Sequence, residues 1–125
     1  MNRKLIAAAK AAQRRAHAPY SKFRVGAALL TKSGKIITGC NVENASYGLT
    51  ICAERVAITK AVSEGHRQFR AIAVVAPAAA VSPCGACRQV LAEFGEMLVM
   101  CADSRRPRNV RVYLLSELLP HAFKL

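Results

Sequence analysis

Met97-Leu98-Val99-Met100-Cys101 and Val110-Arg111-Val112-Tyr113-Leu114-Leu115 are two apolar-rich runs separated by only eight residues, Ala102 to Asn109. Each run has strand length, and Pro107 in the connector excludes a helix there. A parallel crossover needs about a dozen residues or more, usually as a helix. The two runs are therefore expected to pair antiparallel, which fixes one end of the sheet. Upstream, Ala71 to Ala76 is a continuous apolar run, expected to be a strand buried on both faces. Phe23 to Thr31 and Lys35 to Val42 flank Lys32-Ser33-Gly34 and read as a hairpin. Helices are expected over 2–16, ended near Ala18-Pro19, over Cys52 to Glu64 with Gly65 just beyond, and over Cys84 to Phe94 closed by Gly95. Asn41 to Thr50 reads as a loop and Ser116 to Leu119 as a terminal turn. After the first helix the order is ββαβαββ. That implies an α/β fold of three layers: a five-stranded mixed sheet, helices on both faces, and a last pair of strands that is antiparallel.

The chain has 125 residues, so residues 1–125 are expected to form a single domain with a core that needs no disulfide staples. Hydrophobic residues make up 53%, too many for a disordered chain, and no apolar run approaches a membrane span. Lys and Arg number 19 against 7 Asp and Glu, a formal net charge of +12. Nine of those cations precede the first acid, Glu43. A basic excess of this size raises nucleic acid as a partner. The start, Met1 to Ala9, has the outline of a signal peptide, but Lys10 ends the apolar run too early for one. An amphipathic helix with Leu5, Ala9, Ala12 and Ala16 on one face, in a cytoplasmic protein, is the expectation. Five cysteines are an odd number, which speaks against a disulfide framework and for metal or reactive roles.

Three of the five stand in a suggestive pattern: Cys52 alone, then Pro83-Cys84-Gly85-Ala86-Cys87. A lone C-x-x-C can be a redox pair, but here it follows the third expected strand rather than an early one. A closed structural zinc site wants four ligands. The remaining candidates, Cys40, Cys101, His17, His66 and His121, stand at no paired spacing, and Cys40 and Cys101 fall inside strands as small inert thiols. Three ligands with an open fourth position form the catalytic arrangement. Glu54, two residues after Cys52, then has a use as a carboxylate that moves protons without binding the metal. All three thiols are expected in the first turn of a helix, where the dipole favours negative charge. Three thiolates outweigh zinc's two charges, and Arg55, three residues after Cys52, is placed to offset them.

Cys52-Ala53-Glu54 followed by Pro83-Cys84-x-x-Cys87 resembles the three-cysteine form of the zinc deaminase signature. Pro19-Tyr20-Ser21-Lys22-Phe23-Arg24-Val25-Gly26, Gly39-Cys40-Asn41-Val42-Glu43-Asn44-Ala45, Ser82-Pro83-Cys84-Gly85-Ala86-Cys87-Arg88-Gln89 and Glu117-Leu118-Leu119-Pro120 with Phe123 extend the likeness over nearly the whole chain. It is similar to the homotetrameric cytidine deaminases. The resemblance implies a cytidine-deaminase-like fold, one Zn2+ per subunit on Cys52, Cys84 and Cys87, and hydrolytic deamination of cytidine and 2'-deoxycytidine in pyrimidine salvage. In that chemistry zinc hydroxide attacks C4 while Glu54 shuttles protons. The resemblance also implies Phe23 stacked on the pyrimidine, Asn41 and Glu43 on the ribose hydroxyls, and the Ala53 amide on the base. Arg55 would lie behind the thiolates, and Tyr47 and Phe123 would reach a site across a subunit boundary. The partners implied are a free pyrimidine nucleoside and three further copies of the chain. No membrane and no specific nucleic acid are expected, and non-specific attraction to polyanions is confined to low salt.

Two departures accompany the likeness: Ser104-Arg105-Arg106-Pro107-Arg108 is basic where the family commonly has an Asp-Gly turn, and only Lys124 and Leu125 follow Phe123. A blasticidin-type deaminase shares the Cys84 to Gln89 segment, but Asn41-Val42-Glu43-Asn44 favours a ribose site. Free-nucleotide and tRNA deaminases usually carry histidine where Cys52 stands. A polynucleotide editor would suit the charge, yet the short Ala102 to Asn109 connector departs from its long crossover. A basic zinc module that binds nucleic acid would need a fourth ligand and give Glu54 no role.

Overall fold

The computed structural model describes residues 2–125; Met1, inside the expected 1–125 domain, lies outside the described residues. Strands β1 (Gly26–Thr31), β2 (Ile36–Cys40), β3 (Phe69–Ala76), β4 (Leu98–Asp103) and β5 (Arg106–Leu114) form one sheet in the order β2-β1-β3-β4-β5. Only β3 and β4 run parallel; the other neighbouring pairs, β4 with β5 included, are antiparallel. Helices α1 (Asn2–Gln13), α2 (Ala53–Ser63) and α3 (Gly85–Ala92) cover the sheet, and a short α4 (Leu115–Leu118) follows β5.

Alternation along the strands builds two cores. Leu5 and Ala9 of α1 pack on Ala28, Leu30, Ala73, Val75 and Met100. Ala57, Ile58 and Leu91 of α2 and α3 pack on Ala27, Leu29, Ile72, Val74 and Val99 of the opposite face. The expected three-layer α/β fold is therefore the observed one. Two glycines let the layers close. A β-carbon at Gly39 would lie 2.6 Å from the Ala53 carbonyl oxygen and from the Ala57 amide nitrogen, so α2 rests directly on the β2 backbone. Gly26 gives α1 the same close approach to β1.

The edges of several elements differ from the sequence expectation. The β4–β5 connection is two residues long, not eight, and β5 begins at Arg106. Asp103 causes this. Its carboxylate accepts from the Arg105 amide at 2.9 Å and pairs with the Arg105 guanidinium, turning the chain at once. The register then slips between Ala102 and Asp103. Strand β1 starts three residues later than expected because the Asn41 side chain occupies its ladder: Oδ1 accepts from Val25 N–H at 2.9 Å and Nδ2 donates to Phe23 O at 2.8 Å. Helix α1 ends at Gln13, and the Arg14 and Arg15 amides turn back to Ala11 and Ala12.

Candidate active site

Cys52 is the residue preceding α2 and Cys84 the residue preceding α3; Cys87 lies in the first turn of α3. Two thiols thus occupy N-cap positions, where the sequence reading had placed all three within first turns. Neither makes a capping hydrogen bond, although serine or aspartate there would stabilise a helix by about 1 kcal/mol. Two helix N-termini with unpaired N–H groups converge on the same sulfurs, which favours thiolates. The three Sγ atoms lie within 4.8 Å of one another, and Cys84 and Cys87 are 3.5 Å apart. Metal–sulfur bonds of about 2.3 Å at tetrahedral angles place sulfurs about 3.8 Å apart, so the cluster fits zinc with little adjustment.

Charge around the cluster is arranged in layers. Arg55 Nη2 donates to Cys52 Sγ at 3.4 Å, and its buried Nε has no acceptor among the described residues. The Cys52 thiol is pulled down to about 5, first by its bond to Cys87 and then by Arg55. Cys87 is pushed upward by the same contact, so the pair shares charge rather than carrying it twice. Glu54, the second residue of α2, is 5% exposed. Burial pushes its carboxyl up to about 7, and negative charge on Cys52 adds to the rise. A carboxyl poised there both gives and takes protons near neutral pH. Ala53 is the first residue of α2, so its amide is one of the helix's orphan donors. Cys101 is buried on β4 with its thiol raised to about 11, and Cys40 sits on edge strand β2; neither joins the cluster.

A second cluster borders the first. Val42 and Ile51 exchange backbone hydrogen bonds of 2.9 and 3.0 Å, holding Asn41-Val42-Glu43 alongside the strand that leads into Cys52. Asn41 fixes the Phe23 backbone as described. Glu43 Oε1 accepts from the amides of Tyr20 and Ser21 at 3.0 and 3.2 Å, and Oε2 accepts from the Ser21 hydroxyl. Ser21 Oγ in turn accepts from Phe23 N–H at 2.9 Å. Phe23, Asn41 and Glu43 are therefore brought together as one hydrogen-bonded unit.

Tyr47 and Phe123 are 71% and 70% exposed. Tyr47 makes an edge contact with Tyr20, whose amide is bonded to Glu43, at 5.9 Å between ring centroids.

Two groups stand in segments that carry the likeness but were given no role there. Ser21 gains its place only through Glu43, 22 residues away. Arg88 donates to Pro83 O at 2.6 Å, Leu118 O at 2.7 Å and Ser82 Oγ at 3.0 Å, and Gln89 Nε2 donates to Phe123 O at 3.2 Å. Together they tie the loop before Cys84 to the C-terminal segment. Arg88 follows a ligand cysteine directly, but its acceptors join the loop just before α3 to Leu118, 30 residues away, which spacing does not reveal.

Comparison with known proteins shows the family of the chain. Residues 1–102 match the family model of the cytidine and deoxycytidylate deaminase zinc-binding region. The chain is 53% identical over 123 residues to a cytidine deaminase of Sporosarcina psychrophila, covering 96% of this chain and 89% of that protein. The crystal structure of a cytidine deaminase from Burkholderia pseudomallei superposes with a TM-score of 0.94 at 51% identity, covering 98% and 99% of the two chains. That of the Mycobacterium tuberculosis cytidine deaminase gives 0.80 at 42% identity, covering 98% and 97%.

Proposed function

The chain belongs to the cytidine deaminase family and is a zinc-dependent hydrolase, and from that premise we propose that it converts cytidine and 2'-deoxycytidine to uridine and 2'-deoxyuridine with release of ammonia. The observation that carries this reading is the buried Glu54 carboxyl beside a three-thiol cluster, adjoining the Phe23–Asn41–Glu43 unit. Zinc on Cys52, Cys84 and Cys87 supplies a Lewis acid that makes water a nucleophile near neutral pH. Glu54 in its protonated form donates to N3 of the cytosine ring, which makes C4 electrophilic. As carboxylate it takes the first proton that water gives up and delivers it to the amine leaving C4, and the second proton, from the new C4 hydroxyl, returns Glu54 to its protonated form as the C4=O bond forms. The Ala53 amide holds the base by hydrogen bonding. Phe23 stacks on its ring, and Asn41 and Glu43 hold the ribose hydroxyls through their remaining lone pairs and N–H. Arg55 draws charge from the thiolates and so keeps the metal acidic.

A neutral nucleoside, not a nucleotide, is the substrate this donor set suits, and pyrimidine salvage in the cytoplasm is the corresponding role. Among the described residues no helix is long and apolar enough to cross a membrane. We also read the active protein as a tetramer of single-domain subunits. An apolar groove of about 530 Å³ between α2 and α3, lined by Ile58, Val62, Val90 and Phe94, is a surface for a second copy. In such an assembly the exposed Tyr47 and Phe123 serve a neighbour's site.

The test is the loss of cytidine absorbance with the zinc-loaded protein and its Glu54→Ala variant. The variant is expected to lose at least about 10²-fold to 10⁴-fold in turnover while keeping its zinc. Zinc loss in the variant would instead make Glu54 a ligand, and an inactive wild type would end the reading.

A further inference from the structure

We propose that the outer face of α1 is a docking surface for the phosphate backbone of single-stranded nucleic acid, a role separate from nucleoside deamination. The inner row of this helix, Leu5, Ala9 and Ala12, is buried against the sheet. Its outer rows carry Arg3, Lys4 and Lys10, and Arg14 and Arg15 extend them by a turn; all five are exposed. Only the methyl groups of Ala7 and Ala11 are exposed between these cations, so the helix surface there is slim. Along the axis Arg3 and Arg14 are about 16 Å apart, which spans roughly five phosphates of a strand.

Every acid of the chain stands elsewhere. Glu54 and Asp103 are buried, Glu43 is bonded to Ser21, and Glu64, Glu93, Glu96 and Glu117 follow or belong to α2, α3 and α4. Among the described residues the one ion pair is Arg105 with Asp103, so the five cations of this face have no acidic partner.

The face also contradicts what a helix prefers for itself. Cations in the first turn oppose the helix dipole, and α1 has no acid there to offset them. Lys10 and Arg14, four residues apart, repel each other. Lys10, Arg14 and Arg15 suit the dipole at the C-terminal end, so the cost falls on Arg3 and Lys4 and on the crowding of like charge, and a ligand that supplies negative charge relieves both. The surface continues past the helix: Gln13 Nε2 donates to Ser104 Oγ at 3.1 Å, joining the end of α1 to the β4–β5 turn, where Arg105 is paired with Asp103 and Arg106 and Arg108 follow, exposed, on β5. An anionic bilayer is the poorer match, since the face has no large apolar side chain to insert.

The measurement is fluorescence anisotropy of a labelled, mixed-sequence RNA strand of about 20 nucleotides, with zinc-loaded protein across a salt series. The Arg3→Gln, Lys10→Gln, Arg14→Gln, Arg15→Gln variant is compared with a control of equal charge change, Lys32→Gln, Lys35→Gln, Lys60→Gln, Lys124→Gln. At about 50 mM salt the α1 variant is expected to bind at least about tenfold more weakly, with a log Kd against log salt slope shallower by about 2. The control keeps the wild-type slope, and both variants keep wild-type turnover of cytidine. The proposal is overturned if the wild type does not bind, if both variants lose binding equally, or if the protein binds phosphatidylserine-rich vesicles but not the RNA.

Discussion

At Arg55 a single guanidinium faces a centre whose ligands outnumber the charges of the metal they hold. Its bond to Cys52 Sγ withdraws electron density from one thiolate, and its orphan Nε is a further donor in the same buried space. Arg55→Gln leaves a shorter side chain with two N–H donors and removes the charge. Its turnover at neutral pH is expected to fall about tenfold or more, with the basic-going rise of the pH–rate profile moved to higher pH. Unchanged activity and profile would show that the thiolates need no such relief. Glu43 makes a different kind of prediction. The Ser21 hydroxyl, with the Ser21 and Tyr20 amides, holds this carboxyl below its ordinary value of 4.5. A depressed acid stabilises the fold above that ordinary value, and the contribution is lost as pH falls through the depressed one. The turn over residues 19–23 should therefore open in acid, seen as faster exchange of the Tyr20 and Ser21 amides. In Glu43→Gln that exchange should lose its acid dependence.

The metal cluster exists because two helices begin at the same place, and each is set by its contact with the sheet. Gly39→Ala tests this without touching a ligand. The new methyl meets the Ala53 carbonyl and the Ala57 amide, so α2 must lift off β2. Overpacking of this kind costs about 1–3 kcal/mol, and a displacement of about 1 Å near the reacting groups lowers turnover by about 10²-fold. The expected result is a lower Tm together with a kcat that falls more than the loss of fold accounts for. The strands and helices themselves were legible in the sequence, since Ala71 to Ala76 and the Cys84 to Phe94 segment carry their periods openly. The zinc ligands were legible because ligand chemistry imposes residue type and spacing together. What spacing could not show is where a side chain replaces backbone. Asn41 stands in for a strand partner and delays β1, and Asp103 turns the chain six residues before the expected strand resumes. Arg88 was hidden for the same reason, as two of its three partners are carbonyls, and every residue has one.

The molecule as a whole has two unlike exteriors. The side bearing α2 and α3 offers an apolar groove and the exposed acids, while the α1 side offers cations and alanine methyls. On the assembly reading, Val62→Glu places a charge in the groove and should break the tetramer into smaller species by light scattering. Activity per subunit should fall with it, because Tyr47 and Phe123 would no longer meet a neighbour's site. A tetramer that survives the change would move the interface elsewhere.

Arg88 and Gln89 grip the C-terminal segment by its carbonyl oxygens at Leu118 and Phe123, not by any side chain. An attachment of that sort is indifferent to which amino acids follow one another along the tail. Mutations there can therefore alter the shape presented to a substrate while the anchor persists and the metal centre goes unrebuilt.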